Sequence, residues 1–249
     1  MSSVPSPTVN RCPDLAALSR AAARDLTTDI QETLRTQDRY TLALAGGSTP
    51  ERLYALLAAE EEGSLPWSQI HLFWGDERFV PADHPKSNTR MATDTLLEAV
   101  PIPDHQVHPM PTHLASPDAA AAAYTETLQE HFADRSRTFD TVLLGLGSDG
   151  HTASLFPETG TAEARRSDDA WVRAVTAPPR HEISSRLTCT IPTLSGARRA
   201  VFLVAGEEKR SALTQVLDHA DPSLPAAQIR PRDTLLWFVD AAARPSSPE

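Results

Sequence analysis

Short apolar runs, most of them followed by glycine, constrain the fold of this chain more than any other feature. The runs are five to eight residues long and occupy 40–45, 70–74, 139–146, 200–205 and 234–240. Several segments between them, 14–37 above all, carry apolar residues at three- or four-residue intervals, the spacing of one buried helix face. Apolar strands that alternate with amphipathic helices are typical of parallel sheets covered on both faces. We therefore predict an α/β fold with a doubly wound, mostly parallel sheet and helices on both faces.

Nothing in the sequence divides the 249 residues into separate units, since it contains no low-complexity linker and no internal repeat. We interpret 1–249 as a single α/β domain, long enough to bury a core without disulfides or structural metals. Flexible tails are expected at 1–12 and 242–249. A small antiparallel or lid region is expected at 158–190, where two short strands are predicted.

The composition narrows the classes of function. The formal net charge is −10 at pH 7, which argues against nucleic acid as a partner because backbone phosphates are bound by clustered basic residues. This net charge is still compatible with a small anionic substrate, because a few cations in a cleft outweigh a distant acidic surface. Cys12 and Cys189 are the only cysteines and form no metal-binding motif, which fits a reducing compartment.

The sequence gives no sign of targeting to a membrane. No apolar run reaches the roughly 18 residues of a membrane span, and the N-terminal segment lacks the apolar stretch of a signal peptide. We expect a cytoplasmic protein that forms a monomer or a small homo-oligomer.

The strongest candidate for chemistry follows the apolar run at 139–146, where Asp149 and His151 stand among Gly145, Gly147 and Gly150. Ligand sites of open α/β sheets lie just outside the carboxyl ends of the strands. A histidine there can act as a general base near neutral pH, and a nearby carboxylate would hold one tautomer. The structural alternative is a pair of capping residues. Because the glycines clear space around the pair, we favour a catalytic role.

Two strand ends carry candidate anion-binding groups. Gly46, Gly47 and Ser48 join a strand to a helix, where free backbone N–H groups of the first helical turn can bind an anion. A tight turn with a Ser cap explains them equally well, and they match neither a Walker A loop nor a dinucleotide fingerprint. Arg78 closes the charged cluster at 75–78. Alone that cluster indicates solvated ion pairs, but a guanidinium also binds phosphate in a bidentate fork.

Lys209 is one of only two lysines and stands near the start of a predicted helix. An exposed lysine and a phosphate-binding point charge are equally compatible with that position. Further candidates for the same cleft are Asp76, Asn88, Arg90 and Thr152. Among the remaining polar groups, we expect His71 in a strand wall and no metal site among His105, His108 and His113. We expect 180–182 at the surface, with a lid contact to a substrate as the alternative.

These motifs together resemble the 6-phosphogluconolactonase family. The resemblance runs from 45–50 through 74–78 and 87–88 to Gly145–Gly147, the stretch 149–154 and Gly206 with Lys209. It implies a Rossmann-like sheet, shared with glucosamine-6-phosphate deaminases and ribose-5-phosphate isomerases. It also implies hydrolysis of 6-phospho-D-glucono-1,5-lactone in the oxidative pentose phosphate pathway, with no metal or organic cofactor.

The resemblance further implies roles for individual residues. Arg78 and Lys209, with the backbone of Gly47 and Ser48, would anchor the 6-phosphate. His151 would take a proton from the attacking water, and Asp149 would orient it.

Two alternatives are kept: an enzyme of the glucosamine-6-phosphate deaminase/isomerase type and a sugar-phosphate sensor without enzymatic activity. In deaminases the Asp-Gly-His triplet is followed, after a short apolar step, by Asn-Glu-Pro, whereas this chain has Leu-Phe-Pro-Glu at 155–158. A sugar-phosphate sensor of a transcription regulator would need a DNA-binding head.

Overall fold

The computed structural model describes residues 5–59, 65–133, 138–158 and 170–244. These contain nine strands: β1 Thr8–Cys12, β2 Tyr40–Leu44, β3 Ile70–Trp74, β4 Asp76–Arg78, β5 Thr141–Leu144, β6 Val172–Thr176, β7 Ser185–Cys189, β8 Arg199–Val204 and β9 Thr234–Asp240. They also contain seven α-helices: α1 Leu15–Thr33, α2 Ser48–Ala59, α3 Asn88–Thr95, α4 Pro117–His131, α5 Ile191–Ser195, α6 Arg210–Leu217 and α7 Pro225–Gln228. Short 3₁₀ turns, including Glu207–Lys209 just before α6, complete the pattern.

Six of the strands form one parallel sheet in the order β1-β9-β8-β5-β2-β3. All residues of β2, β5 and β8 are buried, as expected for central strands with helices on both faces. The predicted mostly parallel α/β fold is therefore confirmed. From β2 the chain passes to β3 on one side, whereas β5 lies on the other. The order of strands thus reverses between β2 and β5, which is where open sheets of this type bind ligands.

The helix starts follow from capping side chains. Asp14 accepts a hydrogen bond from the backbone N–H of Ala17 at 2.7 Å and starts α1. Ser87 and Ser116 cap α3 and α4 in the same way. None of the helices within the described ranges has the length and apolarity that a membrane crossing requires.

A second sheet of three antiparallel strands, β4-β7-β6, adjoins the carboxyl ends of β2 and β3. The backbone N–H groups of Gly75 and Cys189 connect the two sheets, by donating to Leu44 and to Gly75 respectively. This sheet agrees with the antiparallel region expected at 158–190, of which 159–169 lie outside the described residues. It also includes β4, which was expected only as a charged strand terminus.

The tails predicted at 1–12 and 242–249 are too long. Residues Thr8–Cys12 form β1 and pair in parallel with β9 along their whole length. This strand is polar and only partly buried because it lies at the sheet edge, so it lacks the apolar signature of the central strands. At the other end, Ala243 is buried and Arg244 forms an ion pair with Asp218 at 2.8 Å.

Candidate active site

A cavity of about 310 Å³ opens at the carboxyl ends of β2, β5 and β8, where the strand order reverses. Its walls combine the glycine turns after β2 and β5, the start of α2, residues of the antiparallel sheet and the turn after β8. The predicted residues that line it are Gly46, Gly47, Ser48, Asp76, Arg78, Asn88, His151 and Lys209. Topology therefore brings together side chains that are up to 163 positions apart in the sequence.

Asp149 and His151 form a close pair beside this cavity. His151 Nδ1 and Asp149 Oδ1 are 2.5 Å apart, and the backbone N–H of His151 donates to the same oxygen at 3.1 Å. Because Nδ1 is engaged, His151 has Nε2 left for a substrate or water. The turn leaves no room at Gly147, where a Cβ would lie 2.0 Å from His151 Nδ1 and 2.5 Å from Asp149 Oδ1. Glycine at this position therefore permits the pair.

The second oxygen of Asp149 accepts a hydrogen bond from Arg180, which also binds Glu158 at 2.7 Å. Burial by itself raises the pKa of the Asp149 carboxyl, but the hydrogen bonds and charges of His151 and Arg180 outweigh it and hold this pKa well below its ordinary value. Asp149 is therefore ionised near neutral pH, and its contact with Nδ1 keeps the His151 ring in one orientation.

The turn between β6 and β7 packs against the Asp149–His151 pair. His181 packs edge-on against His151 with ring centroids 5.6 Å apart, and Phe156 contacts both rings at 4.8 and 4.9 Å. Burial and the neighbouring His151 lower the pKa of His181, which favours the neutral form of its ring. The surface position expected for 180–182 is confirmed for Arg180 and Glu182, which are exposed, whereas His181 is partly buried. Arg180 and His181 also contact the Asp149–His151 pair.

Three cationic side chains line the cavity: Arg78, Arg186 and Lys209. Arg78 and Arg186 are directly opposite each other in the antiparallel pair β4–β7. Like charges at such a position repel, so an anion between them would relieve the arrangement. Burial and the charge of Arg78 lower the pKa of Arg186, whereas the carboxylate of Asp76 raises it, and the overall shift is downward. In the part of the chain that the structure describes, Lys209 has no carboxylate partner, so its charge is available to a ligand.

The first residues of α2 line the same cavity, and the N–H groups of a first helical turn have no partner within the helix. Gly46 lies against Asn88, whose amide oxygen would be 2.0 Å from a Cβ at this position. Asn88 in turn donates to the Asp76 carbonyl at 2.9 Å, and Asp76 accepts a hydrogen bond from Ser154 at 2.6 Å. This buried polar network holds the glycine turn close to the cavity, so the anion-binding interpretation gains support over a simple capped turn.

Glu77 lies next to the cavity residues, is buried, and forms hydrogen bonds that hold the loop after β4 in place. Its carboxylate accepts backbone hydrogen bonds from Arg78, Asn88 and Thr89 at 2.7–2.8 Å. Burial raises its pKa despite these bonds. The carboxylate thereby fixes the start of α3 and, with it, Asn88 at the cavity wall.

Two predicted site residues lie elsewhere. Thr152 is buried and its hydroxyl donates to the Gly145 carbonyl at 2.8 Å, so it closes the turn and does not line the cavity. Arg90 is exposed on α3 and forms an ion pair with Asp94 at 3.4 Å, because its helix position turns it away from Asn88. Arg186 was not predicted, and Arg180 and His181 were considered only for a lid contact, as the alternative to a surface position. A signal for Arg186 does exist, since it stands as a buried charge in a predicted strand.

Comparison with known proteins adds an independent observation. The family model described as "Glucosamine-6-phosphate isomerases/6-phosphogluconolactonase" matches residues 13–237. This chain belongs to that family. A 6-phosphogluconolactonase of Synechocystis is 44% identical over 223 residues, which cover 88% of this chain and 89% of that protein. One of Nostoc is 41% identical over 241 residues, with 95% and 96% covered.

A solved structure agrees with the family assignment. The 6-phosphogluconolactonase from Trypanosoma brucei superimposes with a TM-score of 0.83 and 30% identity, covering 97% of this chain and 98% of that one. The family resemblance stated from the sequence motifs is therefore confirmed.

Proposed function

We propose that this protein hydrolyses 6-phospho-D-glucono-1,5-lactone to 6-phospho-D-gluconate, the lactonase step of the oxidative pentose phosphate pathway. The observation that carries the proposal is a single cavity lined by two kinds of group. His151, oriented by Asp149, lines it together with the cations Arg78, Arg186 and Lys209. The general base suits an uncharged reacting group such as a lactone. The cations in the same cavity suit the phosphate group of the same substrate.

The phosphate of the substrate binds between the cations. Two guanidinium groups and one ammonium group match its charge, and the N–H groups at the start of α2 add donors. Arg78 donates from one Nη to the Lys86 carbonyl at 2.6 Å, which fixes its guanidinium toward the cavity wall. Anchoring the phosphate there would leave the lactone ring to reach His151 across the cavity.

The reaction then follows from the tautomer that Asp149 imposes. His151 Nε2 takes a proton from a water molecule while the water oxygen adds to the lactone carbonyl carbon. The carbonyl electron pair moves to oxygen and gives a tetrahedral oxyanion, which backbone N–H groups of the glycine turns are placed to stabilise. When the oxyanion collapses, the bond from the carbonyl carbon to the ring oxygen breaks. The imidazolium returns its proton to that oxygen.

Every step in this scheme uses side chains, backbone and water, so no metal or organic cofactor takes part. Asp149 stabilises the imidazolium in the intermediate, and Phe156 with His181 limits the access of bulk water to the pair. General acid–base assistance of this kind contributes about 10²–10⁴-fold in rate. The free, buried thiols of Cys12 and Cys189 support a reducing compartment, and we place the reaction in the cytosol.

Two assays on the wild-type protein test the function. Freshly generated 6-phosphogluconolactone is followed by coupling its product to 6-phosphogluconate dehydrogenase, and glucosamine 6-phosphate is followed by release of ammonia. We expect acceleration of lactone decay over the spontaneous rate and no ammonia. Ammonia release without lactone hydrolysis would assign the chain to the deaminase branch of the family. Silence in both assays from a folded protein that binds sugar phosphates would indicate a sensor.

A further inference from the structure

Three histidines from distant parts of the sequence meet at the outer edge of the parallel sheet. His71 lies on the edge strand β3, His108 on the loop that pairs with this strand, and His131 at the end of α4. Their ring centroids are 4.8–5.4 Å apart. One nitrogen can be chosen from each ring so that all three lie within 4.8 Å of one another.

We propose that His71, His108 and His131 bind a divalent transition metal ion such as Zn²⁺. Three neutral imidazoles are a favourable ligand set for this class of ion, with water or another oxygen as the fourth ligand. The sequence did not suggest the site, because the three residues are 37 and 23 positions apart and the expected loop histidines were His105, His108 and His113.

The distances are close to those that coordination requires. His71 Nδ1 and His108 Nε2 are 3.1 Å apart. Two imidazole nitrogens on a tetrahedral zinc ion, each bonded at about 2.0–2.1 Å, are separated by about 3.3 Å. A ring that now donates its N–H in the His71–His108 contact would carry its proton on the other nitrogen when the metal binds. The ligand nitrogen of the third ring must move about 1.5 Å closer to the other two, a distance that rotation of the side chain can supply.

The backbone around the three rings is held from several sides. The N–H of His108 donates to the Leu72 carbonyl at 2.8 Å, and its carbonyl accepts from the Tyr124 hydroxyl at 2.9 Å. The His131 carbonyl accepts from Arg39 at 3.1 Å. Phe73 stacks on His108 at 4.5 Å and meets His131 edge-on at 4.9 Å. A metal site gains from such preorganisation, since its ligands lose little freedom on binding.

An ion can reach the rings from solvent. All three side chains are half-buried, and His108 and His131 line an open groove of about 560 Å³. The groove also presents Glu130, a carboxylate, and Arg39, a guanidinium, so the two charges beside the ion offset each other. His71 is the second residue of β3, whereas the cavity of His151 lies beyond the carboxyl ends of the strands. The two sites are therefore separate.

Binding here would link β3, the 107–108 loop and α4, so the ion should stabilise the fold without taking part in the hydrolysis. The test is a titration of the full-length protein, freed of metal by a chelator that is then removed, with Zn²⁺ in a calorimeter. We expect one equivalent at the three histidines. We also expect the melting temperature to rise by about 5–10 °C when the free ion is a hundredfold above its Kd. Co²⁺ in place of Zn²⁺ should give the visible absorption of a site with low coordination number.

Variants assign the site. His131→Gln and His108→Gln should each weaken Zn²⁺ binding at least about tenfold and abolish the shift in melting temperature. His113→Gln removes an exposed histidine outside the cluster and should bind as the wild type does, and so should His151→Gln. If one of the two cluster variants fails to fold, the other variant and the Co²⁺ spectrum of the wild type still show whether the metal binds at the three histidines. Absence of Zn²⁺ binding by the wild type would overturn the proposal. So would binding that His151→Gln removes and the cluster variants keep.

Discussion

A methyl group at position 147 has no room beside the proposed catalytic pair, because its carbon would lie 2.0 Å from His151 Nδ1 and 2.5 Å from Asp149 Oδ1. Gly147→Ala should therefore force the two side chains apart and lower kcat by about 10²–10⁴-fold, the usual contribution of general acid–base catalysis. Steady-state kinetics on the lactone measure this loss.

The control for this change is Gly145→Ala, since a Cβ at position 145 meets no atom within 4 Å. We expect its thermal unfolding to match that of the wild type. A Gly147→Ala protein that keeps wild-type kcat would show that the Asp149–His151 contact is not needed for catalysis.

The two lysines of this chain provide a matched pair of variants for the phosphate site. Lys209 lines the cavity, whereas Lys86 is exposed and paired with Glu182 at 3.1 Å. Removing a charged hydrogen bond to the phosphate costs about 1.5–3 kcal/mol, so Lys209→Ala should raise KM about 10- to 100-fold with a smaller change in kcat. Lys86→Ala should leave KM unchanged. Equal KM values for the two variants would remove Lys209 from the phosphate site.

At the scale of elements, helix α1 is fixed to the sheet through a half-buried ionic cluster around Asp29. Its carboxylate accepts hydrogen bonds from Arg198 at 2.6 Å and from Tyr40 at 2.5 Å, and it is 2.9 Å from Arg199. Burial raises the pKa of Asp29, but these partners outweigh it and lower the pKa overall. Asp29→Asn leaves the arginines without their counter-charge, and such a loss costs about 3–5 kcal/mol of unfolding free energy.

The sign of the pH dependence follows from the lowered pKa. Because folded Asp29 releases its proton more readily than the unfolded chain, its contribution is complete above about pH 4 and is lost as pH falls further. Urea unfolding should show a large difference between wild type and Asp29→Asn at pH 7 and a smaller one at pH 3.5. Asp25→Asn is the control: Asp25 is more exposed, and its one ion pair among the described residues is with Arg199, so its effect should be smaller. A difference that grows toward acid pH would contradict this account.

Which elements the sequence could predict depended on how each is stabilised. The central strands and α1 were predictable because burial leaves an apolar period in the sequence. Strand β1 was not, because an edge strand with one partner needs no apolar pattern. Strand β4 has three residues, all charged, and exists because residues of β7 pair with it 108 to 112 positions later in the sequence. No local signal encodes such a partner.

The same division holds for the candidate site. Asp149, His151 and the glycine turns were identified because they follow a strand directly, where chain order and spatial position coincide. Arg186 and His181 reach the cavity through the antiparallel sheet, whose pairing is a property of the tertiary structure. Arg90 was misplaced for a related reason, since spacing along α3 alone does not say which face of the helix meets the cavity.

At the scale of the whole molecule, the order of the strands determines where the chemistry lies. The reversal between β2 and β5 opens a crevice at the carboxyl edge of the sheet, and the cavity lies there. The antiparallel sheet adds one wall with Arg78 and Arg186, and the turn after β8 adds Lys209. The Asp149–His151 pair and the three cations of the cavity therefore come from separate parts of the fold that meet only in the folded state.

The central claim is that His151, held by Asp149, activates water on an anchored sugar-phosphate lactone. The most direct measurement compares lactone hydrolysis by the wild type and by His151→Gln, with binding of 6-phosphogluconate measured in parallel. We predict a loss of about 10²–10⁴-fold in kcat and unchanged binding of the product, because the cations are untouched. A His151→Gln protein that hydrolyses the lactone at the wild-type rate would contradict the account.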